Sequence, residues 1–171
     1  LLMSGSSFLY YGEELGMKGA GKDENTRAPM YWSKDAGAEG MCLGPQDMDE
    51  ITMIYDSLAE QQDDGNSIYW YVKEALRLRN AYPEISHGTA EFLENLSDDA
   101  VCVLRKNWQD SSVLVVLNCT KDERTVDLSQ ISADSEGGDL KLAGELLTGT
   151  RAASWQDGTL TLPAYGVAIL K

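Results

Sequence analysis

The sequence predicts a mixed α and β chain, with a strand, a long loop and a helix over residues 1–87 and an antiparallel β-sandwich over residues 88–171. A short aromatic run lies between glycines at Phe8–Tyr11, and an apolar stripe with helical spacing follows over residues 67–81. From Gly88 the apolar period changes from about 3.6 to about 2 residues. Turn-forming residues between the later apolar runs favour an antiparallel second part.

The first predicted strand is Phe8–Tyr11. A short, uninterrupted apolar run of this kind is typical of a strand that is buried on both faces. Gly12 and Gly16 bracket a turn directly after it, where backbone freedom matters more than side chains. A buried strand that leads into a loop ending in aromatic residues is how α/β enzymes present ligand contacts. This stretch is therefore the first candidate for a functional site.

The loop over residues 18–50 is rich in Gly, Asp and Lys and shows little apolar periodicity. A run of this length without regular structure is uncommon in a compact domain, and is usually functional or held by its neighbours. A short helix is predicted near residues 49–60 from four apolar residues at helical spacing: Ile51, Ile54, Tyr55 and Leu58.

The best-defined helix is predicted from Ser67 to Ala81. Ser67 is a residue type that can cap a helix N-terminus, and Pro83 is expected to stop the helix. One apolar stripe at 3.6-residue spacing runs along it and consists of Ile68, Tyr71, Val72, Ala75 and Leu78.

Beyond a boundary near His87–Gly88, alternating valines and leucines predict seven or eight short strands. Turns are predicted between them at 97–99, 109–112, 120–122, 135–138 and 156–158. The segment Trp155–Thr159 predicts a tight hairpin, because Asp157 and Gly158 can adopt positive φ. The last strand is predicted at Gly166–Leu170.

Composition narrows the class of protein. The chain has 171 residues, 43% of them hydrophobic and 25% charged, as in ordinary globular proteins. Its net charge of −14 is spread evenly, with 15 acidic and 7 basic residues in 1–86 and 13 and 7 in 87–171. This balance argues against nucleic acid and anionic membranes as partners, since phosphate binding needs clustered Lys and Arg. No apolar stretch is long enough to predict a membrane span, and the first residues do not form a signal-peptide pattern.

Three cysteines are too few and too scattered to predict a disulfide framework. Free thiols that are buried or half-buried are one interpretation of Cys42, Cys102 and Cys119, and a single bridge between Cys102 and Cys119 on neighbouring strands is the other.

Two segments resemble the α-amylase family of glycoside hydrolases, family 13. The first is Tyr10-Tyr-Gly-Glu-Glu-Leu-Gly-Met17 with Arg27-Ala-Pro-Met-Tyr-Trp32, and the second is Asp63–Pro83. In the family they form the eighth strand, the loop after it and the last helix of a (β/α)8 barrel, and the rest of the chain is similar to the C-terminal β-domain. One departure is Gly5-Ser-Ser7, where the family often has Gly-x-Pro. The resemblance implies a C-terminal fragment of a larger enzyme.

The resemblance also implies the reaction of the parent enzyme, which is retaining hydrolysis, or transglycosylation, of α-glucosidic bonds in starch-type glucans or oligosaccharides. Such chemistry needs two carboxyl groups that face the scissile bond. Glu13 and Glu14 are adjacent, and adjacent residues on an extended segment point to opposite sides, so we expect them to bond loop backbone instead. In the family the catalytic carboxylates lie on earlier strands. The fragment by itself is therefore expected to be inactive.

Three residues are predicted to bind substrate. In the family, an arginine just before Pro-Met-x-Trp reaches the sugar, and this arginine corresponds to Arg27. Its guanidinium suits hydrogen bonding to sugar hydroxyls or to a carboxylate that positions them. The alternative is an ion pair of Arg27 with Asp23 or Glu24. Asp23 either shares the sugar contact or caps the loop. Trp32 either stacks on a sugar ring or anchors the loop together with Met30.

Other residues give weaker signals. A surface starch site at Trp108 or Trp155 is one interpretation, and packing or chance exposure of these residues is favoured over it. His87 has no partner in sequence for a metal site or a triad, and no metal or cofactor motif is present. The rival to the enzyme is a non-catalytic carbohydrate-binding or interaction module. If the fragment interpretation holds, residues 1–60 are expected to self-associate or to be disordered, because Phe8–Tyr11 lacks neighbouring strands.

Overall fold

The computed structural model describes residues 1–131 and 139–171. The chain forms two compact units, one of residues 8–73 and one of residues 1–7 together with 74–171. Their boundary falls within a helix, and the division predicted near residue 87 stays a prediction. The predicted turn at 135–138 lies outside the described residues. Among the described helices none combines the length and the hydropathy needed to cross a bilayer.

Residues 8–73 contain short helices joined by loops. A 3-10 turn lies at Glu13–Leu15, α1 at Asp23–Thr26 and α2 at Leu58–Asp63, and the first turns of α3 (Ile68–Ala81) complete this unit. The helix predicted near 49–60 therefore begins only at Leu58. The backbone N–H and the hydroxyl of Ser57 both donate to Glu60 Oε2, at 3.0 and 2.6 Å. This capping arrangement fixes where α2 begins.

The strand predicted at Phe8–Tyr11 is wrong. The segment has no strand assignment, and Phe8 is 92% exposed. A strand requires a neighbour to pair its N–H and C=O groups, and the described residues 8–73 contain no strand. The aromatic run thus has the composition of a buried strand, but no neighbouring strand is present among the described residues to form a sheet with it.

The predicted helix over 67–81 is confirmed as α3. Its stripe places Ala75 and Leu78 in buried positions. The Ser67 hydroxyl has a different use from the predicted cap, since it donates to the carbonyl of Gln61, 2.7 Å away on α2. After Ala81 the chain starts a new helix, α4 (Pro83–His87), with proline in the first turn, where its missing N–H costs nothing.

The second part contains eight strands in the described residues, arranged in two antiparallel sheets. The strands are β1 Thr89–Phe92, β2 Val101–Trp108, β3 Ser111–Asn118, β4 Arg124–Asp127, β5 Leu142–Leu146, β6 Ser154–Gln156, β7 Thr159–Leu162 and β8 Val167–Leu170. The larger sheet has the order β1-β2-β3-β8-β5 and the smaller has the order β4-β7-β6. A 3-10 turn at Glu94–Leu96 separates β1 from β2.

The predicted hairpin at Trp155–Thr159 is confirmed. Gln156 pairs with Thr159, and the two residues between them have φ of 49° at Asp157 and 79° at Gly158. Positive φ at both central residues matches the twist of the flanking strands. Residues on both sheets contribute to one core, which includes Val103 and Val116 from the larger sheet and Leu160 and Leu162 from the smaller. This shared core makes the domain a β-sandwich, as predicted.

Residues 1–7 are held to the sandwich unit by cations. The Arg79 guanidinium donates to the carbonyls of Leu1 and Met3, at 2.6 and 2.7 Å, and also to that of Gly5. Lys106 is fully buried and donates to Ser4 Oγ at 2.6 Å. Burial, together with the charge of Arg79, lowers the Lys106 pKa below its ordinary value.

All three cysteines are free thiols, so the interpretation without a bridge is confirmed. The expectation that these thiols are buried or half-buried holds for Cys102 and is wrong for Cys42 and Cys119, which are exposed. Burial first, and the neighbouring Cys119 second, raise the pKa of the Cys102 thiol.

Candidate functional site

The candidate site lies within residues 8–73, around the turn that follows the aromatic run. Gly12 and Gly16 flank the 3-10 turn with φ of 87° and 63°, in the left-handed region that glycine adopts without strain. Glu14 Oε2 accepts the N–H of Gly12 at 2.8 Å. The expectation that Glu14 bonds loop backbone is therefore confirmed, and the carboxylate holds the turn.

Two tyrosines connect the aromatic run to α1. Tyr10 donates its hydroxyl to the carbonyl of Thr26 at 3.3 Å, and Tyr11 donates to that of Ala28 at 2.9 Å. Their rings contact each other, with centroids 4.7 Å apart. Desolvation and the neighbouring Tyr10 raise the pKa of Tyr11 above 10.0. The two hydroxyls therefore act as hydrogen-bond donors that tie the aromatic run to the end of α1 and the residues after it.

The long loop is organised by one buried amide, Asn25. Its Nδ2 donates to the carbonyl of Ala20 and to Asp49 Oδ2, both at 2.8 Å, and its Oδ1 accepts the N–H of Asp49 at 3.0 Å. Lys22 Nζ lies 2.8 Å from Asp49 Oδ1. Hydrogen bonds from Lys22 and Asn25 hold the pKa of Asp49 below its ordinary value. The two ends of a loop of more than twenty residues are joined in this way.

A cavity of about 240 Å³ opens between the turn and α1. This is slightly smaller than the ~300 Å³ at which typical small-molecule pockets begin. Its wall combines aromatic rings, a thioether and amide groups, and includes Tyr10, Tyr11, Met17, Lys18, Asn25 and Thr26. Flat apolar faces beside polar groups suit a small polyhydroxylated ligand.

Arg27 and Asp23 form the predicted ion pair, and Glu24 is not the partner. Arg27 Nη2 lies 2.8 Å from Asp23 Oδ2, one helical turn away. The side chains are 52% and 77% exposed, so each keeps hydrogen-bonding capacity that faces solvent. Arg27 follows Thr26 and precedes Ala28, both of which line the cavity. The ion-pair interpretation of Arg27 is therefore confirmed, and its contact with a sugar stays a prediction.

Trp32 is held through its backbone, and the residue is 45% exposed. The N–H of Ala59 donates to the carbonyl of Trp32 at 3.2 Å, and the N–H of Leu58 donates to that of Tyr31 at 2.9 Å. The first turn of α2 thus fixes this part of the loop. A partly exposed tryptophan can both anchor the loop and offer a stacking surface, so both interpretations of Trp32 stay open. The ligand-binding roles of Arg27, Asp23 and Trp32 remain predictions.

Two organising residues escaped sequence reasoning, Asn25 and Gln61. Gln61 is buried, and its Nε2 donates to the carbonyls of Leu15 and Asp56, at 2.9 and 2.7 Å. Its Oε1 accepts the N–H of Tyr69 at 3.1 Å. Both residues lie in polar stretches, where a single sequence gives no sign that an amide is buried.

The remaining tryptophans differ in their environments. Trp155 packs against the sandwich core and donates its indole N–H to the carbonyl of Leu140 at 2.9 Å, so packing is its role there. Trp108 is exposed, and its ring contacts that of His87 at 5.3 Å. In the described residues no group of three His, Cys, Asp or Glu side chains could hold a metal ion.

Comparison with known proteins places these features in context. The model of the D-apionate lactonase C-terminal immunoglobulin-like domain matches residues 98–170. Alpha-amylase 3 of Dictyoglomus thermophilum is 29% identical over 125 residues, which are 73% of this chain and 25% of that protein. The cyclomaltodextrinase of Geobacillus thermopakistaniensis is 26% identical over 172 residues, covering 99% of this chain and 23% of that protein.

Among solved structures, Eubacterium rectale Amy13B superimposes with a TM-score of 0.92 and 44% identity. The match covers 100% of this chain and 32% of that structure. The chain therefore spans about a quarter of the length of these curated relatives and about a third of this solved structure.

Proposed function

We propose that this chain is the C-terminal part of a glycoside hydrolase of family 13, because its homologues are α-amylases and related enzymes of that family. The proposed reaction is hydrolysis of α-glucosidic bonds in starch-type glucans or oligosaccharides with retention of configuration. Residues 1–87 would complete the catalytic (β/α)8 barrel, and residues 88–171 would form the β-domain that follows it. The 44% identity to Amy13B over the whole chain is the observation that carries this proposal.

The carboxylates of residues 8–73 support the inference that catalysis resides elsewhere in the enzyme. Retaining hydrolysis needs a carboxyl group with a raised pKa that acts as the acid, about 5–5.5 Å from a nucleophilic carboxylate. Here Asp49 bonds Lys22 and Asp23 bonds Arg27, while Glu14 holds a turn. Asp49 and Glu60 have lowered pKa values, owing first to hydrogen bonds from Lys22 and Ser57 respectively. A carboxylate held ionised in this way is poorly suited to donate a proton.

The proposed contribution of this chain is to bind the sugar. Asp23, Arg27 and Trp32 would contact the glucan, with the ion pair offering donors and acceptors to hydroxyls and the indole offering a flat apolar face. The tyrosine-lined cavity beside α1 would hold one sugar ring. Because the loop is tied by Asn25 before any ligand arrives, little ordering is needed on binding.

A titration of the 171-residue chain with maltoheptaose, followed through its four indole N–H signals by NMR, tests this proposal. We expect the Trp32 signal to shift and the Trp155 signal, which belongs to a packed ring, to stay unchanged. Replacement of Arg27 by alanine should weaken binding by roughly tenfold, the loss expected for about 1.4 kcal/mol. No shift at Trp32 up to high sugar concentration would count against the cleft.

Arg77→Ala is a matched control for Arg27→Ala. Arg77 also forms an exposed ion pair on a helix, with its Nη2 2.6 Å from Glu74 Oε1. Its loss should leave maltoheptaose binding unchanged.

The inactivity of the chain is tested separately by the release of reducing ends from maltoheptaose. Measurable hydrolysis by the chain alone would contradict the assignment of the catalytic carboxylates to other parts of the enzyme.

A non-catalytic module is the second candidate, favoured by the immunoglobulin-like match that covers residues 98–170 alone. In that case the β-sandwich would bind carbohydrate or a partner and residues 8–73 would be passive. The same titration, followed through backbone amide signals as well, separates the two, because a binding module would show shifts in the β-sandwich with none at Trp32.

Self-association through residues 1–60 is a further part of the proposal. Phe8, Leu43 and Ile54 expose large apolar surface there, which the remaining barrel would cover in the whole enzyme. Size-exclusion chromatography with light scattering should give a mass above the 18.8 kDa of one chain. Phe8→Ser should lower that mass. A monomer at high concentration would contradict this part of the proposal.

A further inference from the structure

Three loops meet at one end of the β-sandwich and enclose a second cavity. They are residues 119–123 after β3, 147–153 after β5 and 163–166 between β7 and β8. The cavity measures about 310 Å³, within the usual size range of small-molecule sites. Residues from all three loops form its wall, and they are Lys121, Glu123, Thr148, Gly149, Thr150, Arg151, Pro163 and Ala164.

The loops are fixed by a buried side chain, Asn118. Its Nδ2 donates to the carbonyls of Asp122 and Pro163, at 2.7 and 2.8 Å. Its Oδ1 accepts both the N–H and the hydroxyl of Thr120 at 2.9 Å. One amide thus satisfies groups on two of the three loops, so the wall is formed without a ligand.

The third loop, between β5 and β6, is joined to the loop between β7 and β8 through Thr148. Thr148 donates its hydroxyl to the carbonyl of Ala164 at 3.0 Å, which links the β5–β6 loop to the β7–β8 loop. Both residues line the cavity. The hydrogen bond therefore sets the spacing of two opposing parts of the wall.

The charged groups in the wall form a mixed set of donors and acceptors. Arg151 Nη1 lies 3.0 Å from Glu123 Oε2, and both side chains are largely exposed. Because Glu123 neutralises the guanidinium, the pair offers donors and acceptors side by side rather than a cationic nest for an anion. Lys121 adds further donors. Sugar hydroxyls both donate and accept, so this composition suits a saccharide.

An exposed aromatic residue adjoins the cavity in a strained conformation. Tyr165 directly follows Ala164, is 52% exposed and has φ of 52°. Positive φ is uncommon for a bulky residue and is found often at functional sites. Its N–H donates to the carbonyl of Thr120 at 2.9 Å, which holds this backbone in place. Because Tyr165 is exposed and next to the wall residue Ala164 in sequence, its ring is available to a sugar bound in the cavity.

We propose that this cavity is a second saccharide site, separate from the loop site of residues 8–73, and that it binds a short malto-oligosaccharide stretch of the substrate glucan. The choice of glucan rests on the proposed function. A site of this kind would hold the enzyme on a polymer without taking part in bond cleavage. Its wall comes from the β-sandwich alone, so it can be tested without a catalytic assay.

The test is a titration of the 171-residue chain with maltotriose, followed through backbone amide signals by NMR. We expect saturable shifts at residues 148–151 and 164–165. Gly149 lies in the wall with open space where a Cβ would stand, so Gly149→Leu adds a large side chain to the wall without a clash. We expect it to weaken binding there by roughly tenfold or more. Gly65 also faces open space, so Gly65→Leu is the matched control and should bind as the unchanged chain does.

Tyr165→Asn separates the ring from the backbone conformation, because asparagine tolerates positive φ better than most other residues with a side chain. We expect a dispersed, folded spectrum with weaker sugar binding. Shifts at Trp32 without shifts at the cavity would overturn the second site and leave the proposed cleft standing. Shifts at the cavity without any at Trp32 would support the second site and count against the cleft. Shifts with inorganic phosphate but none with maltotriose would identify an anion site and overturn the proposal.

Discussion

Residues 8–73 and the β-sandwich are held together by different interactions. In the described part of the chain, the buried apolar side chains of residues 8–73 are Leu15 and Ala28, whereas the sandwich buries a continuous aliphatic core from both of its sheets. The loop unit instead buries polar side chains, among them Asn25 and Gln61. In a sheet, backbone N–H and C=O groups pair with the backbone of neighbouring strands, whereas in a loop unit many of them pair with side chains.

The contrast also explains where ligand sites can form. Side-chain amides fix loops without filling the space between them, so both proposed sites lie where a buried asparagine organises a loop: Asn25 in one unit and Asn118 in the other. The aliphatic core sets stability, and the amides set the shape of the cavities. Substitutions in the core should therefore cost more stability than the loss of a buried amide, a buried carboxylate or a surface ion pair.

The greatest loss of stability is expected in the sandwich core. Leu162 is fully buried where the two sheets share their core, so Leu162→Ala should lower the free energy of unfolding by about 2–5 kcal/mol. Urea unfolding followed by circular dichroism measures this loss. Leu76→Ala removes a side chain of the same size that is 39% exposed and should lower stability by less than about 1 kcal/mol. Equal losses for the two variants would contradict the core assignment.

A smaller and local effect is expected at Gln61. Gln61→Leu removes one acceptor and two donor bonds and leaves the carbonyls of Leu15 and Asp56 unpaired, at a cost of about 1–3 kcal/mol. Hydrogen exchange should accelerate over residues 12–16 and 56–69, while β2 and β3 stay protected. Uniform acceleration along the whole chain would show that the two units do not rest on separate interactions.

The sandwich unit should lose stability in acid through Glu84. Burial alone would raise the pKa of Glu84, but hydrogen bonds from Lys171 Nζ and Ser111 Oγ, at 2.6 and 2.5 Å, outweigh it and hold the pKa below 4.5. A carboxyl whose pKa is lower in the folded state contributes stability above its unfolded pKa. That contribution is lost as the pH falls through the folded value.

Glu84→Gln keeps an acceptor for Ser111 and Lys171 but removes the titrating charge. We expect it to cost about 1 kcal/mol at neutral pH and to flatten the decline in stability below pH ~4.5. Urea midpoints measured from pH 3 to pH 7 test this. An acid decline of unchanged steepness in the variant would assign it to other carboxylates.

The weakest effect on stability is expected at the exposed ion pair of the loop. Asp23→Ala should change the free energy of unfolding by less than about 0.5 kcal/mol, because surface pairs are weak. Its effect on maltoheptaose binding should nevertheless exceed that of Glu74→Ala, which breaks a comparable exposed pair on α3. Equal binding by the two variants would assign Asp23 to the loop alone.

Elements whose signals are local could be predicted from the sequence alone. The 3.6-residue stripe predicted α3, the period of two predicted the strands of the sandwich, and Asp157–Gly158 predicted a hairpin, because each pattern acts over a few residues. The motifs from Tyr10 to Trp32 indicated the relationship to family 13, since their residue types and order are visible without a fold.

Features that depend on distant partners emerged only in the folded chain. Phe8–Tyr11 has the composition of a buried strand but lacks neighbours to pair with, so it forms none. Asn25, Gln61 and Asn118 became organising residues because the fold buried their amides against backbone groups up to 46 residues away along the chain. Whether a polar side chain is buried depends on how the chain packs around it, so its burial cannot be predicted from the residue type or from its neighbours in sequence.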